Sequence, residues 1–158
     1  MSKNQKISYI GIGIALYVVV SIMVNIPIIN RIRLDLGYIV FGYYLQNFGI
    51  LGTLVGVIGC IIANLLKGGS FAFAWAIGQA FIGITLGYLL PKTKQTWLKI
   101  LYAIVFLFIG IGIIKTILEV LIYKYPIYAK FTSNCVAYVA DVIPFIIGML
   151  LPLKPKMK

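Results

Sequence analysis

Nine polar or ionisable side chains recur at helical spacing inside stretches that are otherwise apolar. Asn64 and Lys67 close one such stretch, and Trp75 and Gln79 stand one turn apart near the start of the next. Lys115 and Glu119 are again one turn apart, and Asn134, Tyr138 and Asp141 follow at i, i+4 and i+7, a spacing that puts them on one helix face. Amide, ammonium, carboxylate and indole groups of this kind recognise a small polar organic molecule. They do not assemble a reaction centre. The chain has no histidine and three acidic residues, so metal sites built on imidazole or on clustered carboxylates lack ligands. No nucleophile, base and orienting group can be combined. Gly68-Gly69-Ser70 is too short for a nucleotide phosphate loop. The expectation is a binding protein rather than an enzyme, with no cofactor and no metal.

The elements that must position these groups are membrane helices. Hydrophobic residues make up 62% of the 158 residues, and the mean hydropathy is +1.06. A soluble domain of this size has no means of hiding so much apolar surface. Several runs approach the ~20 residues that cross a bilayer core. Six spans are read, at residues 7–28, 37–47, 49–66, 72–90, 98–122 and 135–151. Connections are short, so the predicted architecture is an all-α integral membrane protein forming a single domain over residues 1–158. The basic N-terminus resembles a signal peptide, but its apolar run is too long and no small-residue cleavage site follows. It is read as a retained first span.

Charge sets the orientation. Lys3, Lys6, Lys92, Lys94, Lys99, Lys154, Lys156 and Lys158 fall on one face if there are six crossings, whereas Arg31, Arg33, Lys67, Lys124 and Lys130 fall on the other. The richer face, which carries both termini, is cytoplasmic by the positive-inside rule. The net charge of +11 therefore reads as a topology signal and an attraction to anionic lipid, not as a nucleic-acid surface. With this topology the polar groups converge at the outer end of four helices. Trp75, Phe71 and Phe73 are placed to stack on a planar ring, while Asn64, Gln79 and Asp141 orient it. Lys67 and Lys115 favour an anionic or zwitterionic ligand. The loop at residues 27–36, with Asn30, Arg31, Arg33 and Asp35, is placed as a lid. Cys60 and Cys135 are too few for a disulfide framework and read as packed thiols.

Small residues form stripes that let helices approach closely. Gly49, Gly52, Gly56 and Gly59 make one, Ala76, Ala80, Gly83 and Gly87 a second, and both are expected to pack within the chain. Gly11 and Ala15 in the first span make a third, which is open to another subunit.

These features resemble the substrate-binding S components of energy-coupling factor (ECF) transporters, the vitamin uptake systems of bacteria. The resemblance is carried by residues 11–16 (GIGIAL), 32–38 (IRLDLGY), 49–56 (GILGTLVG), 68–71 (GGSF), Trp75 and residues 83–87 (GITLG), in that order. It implies a bacterial cell-membrane subunit that captures a vitamin or related micronutrient from outside. It implies docking on a transmembrane coupling subunit driven by two cytoplasmic ATPases. The family's alanine pair on the first helix corresponds to Gly11 and Ala15, and its first loop to residues 27–36. Many members carry an acidic residue at the end of the third span, where this chain has Asn64 and Lys67. Two other classes remain open from the residues themselves. One is a non-transporting scaffold of cell-shape or cell-wall assembly. The other is a self-sufficient secondary carrier that uses Glu119 or Asp141 as its coupling carboxylate.

Overall fold

The structure is a computed structural model that describes residues 3–29, 32–69 and 73–151. Seven α-helices and one β-hairpin account for nearly all of these residues. Helix α1 (Lys3–Met23) leads into strands β1 (Asn25–Ile29) and β2 (Ile32–Asp35), then α2 (Gly37–Phe48). A short 3-10 turn (Gly49–Gly52) joins α2 to α3 (Thr53–Leu66), and α4 (Phe73–Leu89) follows. A π-helical segment (Phe108–Ile114) joins α5 (Thr96–Leu107) to α6 (Lys115–Tyr123), and α7 (Ile127–Leu150) completes the described chain.

Four helical stretches are long and apolar enough to cross a membrane: residues 4–23, 37–66, 96–123 and 127–150. The second of these is α2 and α3 together. It is interrupted at Gly49, whose φ of 60° ends α2 in a conformation that favours glycine. Helix α4 is apolar but shorter, at 17 residues.

Three boundaries differ from the sequence reading. The first span was expected to run to residue 28, but α1 stops at Met23 and the next residues pair as a strand. Pro27 explains this, because it has no N–H to donate and disfavours helix at the residue before it. The expected lid loop at 27–36 is thus mostly an antiparallel hairpin, with Asn25 opposite Asp35 and Pro27 opposite Arg33. Asn30 and Arg31 lie outside the described residues. The last span was expected from residue 135, yet α7 begins at Ile127. Lys124 closes α6 in the left-handed conformation, and extended Pro126 caps α7. The run from Tyr128 to Asn134 looks like a polar loop, but it is the first two turns of a helix that extends beyond its apolar part.

The core lies between α1, α2, α3 and α7. Tyr17, Tyr38, Phe41, Leu45 and Phe145 are fully buried there, and Phe41 meets Phe145 edge to face at 5.7 Å. The outward faces are apolar as well, with Leu16, Val19, Ile84, Ile117 and Ile143 exposed, as suits helices that face lipid. Two glycines set the closest approach. A methyl group on Gly148 would lie 2.8 Å from Ile39 Cα, and one on Gly42 would lie 3.0 Å from Met149 N. The α3 stripe packs within the chain, as expected, but on several partners. Gly59 faces Tyr17 of α1, Gly56 faces Phe41 of α2, and Gly49 meets Gly87 of α4. Gly11 has open space around it.

Gly148→Ala forces α2 and α7 apart and is expected to lower stability by about 1–3 kcal/mol. Gly11→Ala is expected to change it by less than about 0.5 kcal/mol. Thermal unfolding of the two variants in detergent checks the contrast.

Candidate functional site

The helix ends build a cavity of about 860 Å³ at one end of the bundle. Its mouth lies where α1, α3 and α6 end and where α4 and α7 begin. Helix α7 supplies one wall through Lys130, Asn134, Ala137 and Asp141, at i, i+4, i+7 and i+11. The side opposite comes from Trp75 and Ala74 of α4 and from Lys115 and Glu119 of α6. Ser21 of α1, Asn64 and Lys67 at the end of α3, and Leu34 and Asp35 of β2 complete it. The volume is within the range of a drug-sized ligand site.

All three acidic residues of the chain, Asp35, Glu119 and Asp141, line this cavity. Three lysines, Lys67, Lys115 and Lys130, line it with them. The cavity is therefore formally neutral, and the net charge of +11 belongs to basic residues elsewhere.

Lys115 is the best-held charge. It is 8% exposed, and its Nζ donates to Asn134 Oδ1 at 2.6 Å. The ammonium also sits 3.7 Å from the centre of the Trp75 ring, a cation–π contact worth about 2 kcal/mol when desolvated. Asn134 in turn donates through Nδ2 to Thr116 Oγ1 at 2.9 Å and to Glu119 Oε2 at 3.0 Å. Glu119 lies 3.9 Å from Lys115 Nζ and 3.8 Å from Lys130 Nζ, so it is shared between two lysines. The π-helical turn before Lys115 contains Gly110, which packs against Gly78 of α4 and lets α6 pass close beside that helix.

The other end of the cavity is acidic. Asp141 is buried at 2% exposure and accepts a long hydrogen bond from Asp35 N, at 3.4 Å. The Asp35 carboxylate accepts from Gly37 N at 2.9 Å, at the start of α2, where the helix dipole favours negative charge. Tyr17 OH donates to its second oxygen at 3.4 Å. One turn further along α1, Ser21 Oγ accepts from Lys67 Nζ at 2.9 Å.

Seven of the nine sequence-predicted site residues thus line one cavity: Asn64, Lys67, Trp75, Lys115, Glu119, Asn134 and Asp141. Gln79 and Tyr138 are not among the lining residues. Gln79 is buried in the core, where its Nε2 donates to Tyr38 OH. Tyr138 donates to Ile104 O of α5 and packs edge to face on Phe108. Of the lid residues, Asp35 lines the cavity, and Arg33 is in β2. Trp75 meets an ammonium rather than an empty ring slot. Phe73 is exposed and does not line the cavity, and Phe71 lies outside the described residues. Sequence reasoning missed Ser21, Tyr123, Tyr125, Lys130 and Ser133. Lys130 had a usable signal, since it lies four residues before Asn134, but only once α7 is known to begin ahead of it.

A family model described as the S component of an ECF-type riboflavin transporter matches residues 1–155. The chain belongs to this family. S components are the substrate-binding subunits of transporters, take small vitamin substrates and associate with an ECF module; they are not enzymes. The fold agrees. The S component for biotin from an ECF-type ABC transporter superposes with a TM-score of 0.71 at 18% identity, over 95% of this chain and 91% of that one. FolT bound with folic acid gives 0.67 at 22% identity, over 92% of each chain. Among curated relatives, a UPF0397 protein of Streptococcus thermophilus is 28% identical over 92% of this chain and 88% of its own length. UPF0397 protein YdcD of Lactococcus lactis is 29% identical over 96% and 91%. Those two names assign no activity.

Asn134→Leu leaves the buried ammonium of Lys115 without its amide partner and is expected to cost about 2–4 kcal/mol of stability. Adding Lys115→Met removes the other half of the pair and is expected to restore most of the loss. Thermal unfolding of the single and double variants measures the coupling.

Proposed function

We propose that this S component captures a vitamin-like molecule from outside the bacterial cell membrane and delivers it through an ATP-driven coupling module. One observation carries the reading: every carboxylate of a strongly basic, apolar chain is gathered with three lysines in one cavity of ligand size. Charged groups are costly in an apolar bundle and persist where they serve a function. The ligand groups in this reading are Asn64, Lys67, Trp75, Lys115, Glu119, Asn134 and Asp141, joined by Ser21, Asp35 and Lys130. Gln79 and Tyr138 support the wall from behind, through Tyr38 and α5.

In this proposal the chain is a single membrane domain with six crossings and both termini in the cytoplasm. The short helices α2 and α3 count as separate passes. The cavity then faces outward, and the β1–β2 hairpin closes over it, pivoting near Asp35. The loaded subunit meets the transmembrane coupling subunit through Gly11 and Ala15. Both are exposed on α1, and the space around Gly11 is open, which suits the close approach of another helix. Two cytoplasmic ATPases supply the energy. Family membership weighs against the scaffold and secondary-carrier alternatives.

Mass spectrometry of small molecules that copurify with the detergent-solubilised protein tests the binding role. A stoichiometric vitamin-like molecule is expected; its absence, together with no thermal stabilisation across a vitamin panel, counts against the proposal. Gly11→Leu combined with Ala15→Leu is expected to abolish uptake by cells that carry the coupling module while leaving ligand affinity within about twofold. Lost affinity with intact assembly would overturn the docking assignment.

A further inference from the structure

The charges of the cavity are sorted by depth. Helix α7 provides the ruler, because Asn134 and Asp141 share a face and are separated by seven residues, or about 10 Å at ~1.5 Å per residue. At the Asn134 level and above lie Lys115, Glu119 and Lys130, tied together by the contacts at 2.6, 3.9 and 3.8 Å. Lys67 is also toward the mouth, bonded to Ser21 one turn beyond Tyr17. Three lysines against Glu119 leave the mouth formally at two positive charges. At the floor lie Asp35 and Asp141, joined through Asp35 N. The two ion pairs among the described residues both belong to Glu119, and neither involves a floor carboxylate.

The floor is under-satisfied. A carboxylate accepts about four hydrogen bonds, whereas Asp141 takes one long one among the described residues. Two neighbouring carboxylates, Asp141 fully buried and Asp35 partly so, repel each other and favour any donor or cation that reaches them. The mouth has the opposite need. Lys67, partly committed to Ser21, has donors left for an anion. Between the two levels α7 presents only Ala137, which leaves room for a flat body between floor and mouth.

We infer that the ligand is dipolar: a protonated or multiply N–H-donating head rests on Asp35 and Asp141, and an anionic group roughly 10 Å away meets Lys67 at the lysine-rich mouth. This rests on the vitamin-binding reading and narrows it to a heteroaromatic molecule charged at both ends, as distinct from an uncharged flavin. An uncharged ligand would leave both ends of the cavity unneutralised.

A panel sorted by charge tests the inference by thermal stabilisation and equilibrium binding in detergent. Thiamine and pyridoxamine serve as cations, and their monophosphates as dipolar probes. Riboflavin is uncharged, and riboflavin 5′-phosphate and biotin are anions. The tightest binding is expected from a dipolar probe. Asp141→Asn is expected to weaken the dipolar and cationic probes by about tenfold or more and to spare the anionic ones, whereas Lys67→Gln is expected to weaken the dipolar and anionic probes and to spare the cationic ones. Each variant is compared with the parent by size-exclusion profile and melting temperature, so that a folding defect is recognised. Riboflavin or another uncharged or singly charged probe binding best overturns this inference and leaves the vitamin-binding reading standing. No binding by any member sinks both.

Discussion

The ammonium of Lys115 lies inside a bundle whose walls are almost wholly apolar, and it must be solvated by the protein itself. Asn134 does so from α7, Trp75 from α4 and Glu119 from the next turn of α6. A buried charge stripped of its partners costs several kcal/mol, so these three contacts hold three helices in one register. Asn134 adds Thr116 to the set and thereby locks α6 against α7 at two successive residues. The cavity is the space between this cluster and the Asp35–Asp141 floor.

That register depends in turn on helix irregularities. The π-helical segment ahead of Lys115 shifts the helical phase, and Lys115 emerges facing the cavity side of α4 and α7. Gly49 breaks the apolar run from Gly37 to Leu66 and folds α3 back beside α1 and α4. On α7, Gly148 and Pro144 adapt the helix to its neighbours, since Pro144 leaves a carbonyl unpaired within the helix and Gly148 admits the backbone of α2. The packing of the deep half of the molecule, where Gly42, Gly49, Gly87 and Gly148 admit neighbouring backbones, sets the geometry of the polar half. Function in this family concerns ligand capture, and polar side chains already held by their neighbours suit it, because pre-organised groups bind without a large ordering cost.

Helical periodicity alone placed Asn134 and Asp141 on one face, and the same arithmetic explains the residue that strayed. At about 100° per residue, Asp141 lies about 20° to one side of Asn134 and Tyr138 about 40° to the other. The cavity spreads toward Asp141, through Ala137 and Lys130, so Tyr138 turns away to α5. Gln79 fails similarly. It is a turn deeper than Trp75 and rotated away from Ala74, and it finds Tyr38 in the core. Neither direction can be read from one helix, because it depends on where the neighbouring helix stands.

Apolar run length, charge and spacing along single helices were sufficient to read a helical membrane protein and to pick out seven residues that line one cavity. These properties are local: they depend on how many apolar residues follow one another and on spacing along a single helix. Tertiary structure alone decided the rest. It paired residues 25–29 with residues 32–35, carried α7 back to Ile127 so that Lys130 entered the cavity lining, and brought Asp35 against Asp141 across more than a hundred residues of chain. It also sorted the charges by depth, with Asp35 and Asp141 at the floor and three lysines with Glu119 at the mouth. A sequence lists which charges exist. Their pairing depends on distances between helices, which close packing of the whole bundle sets.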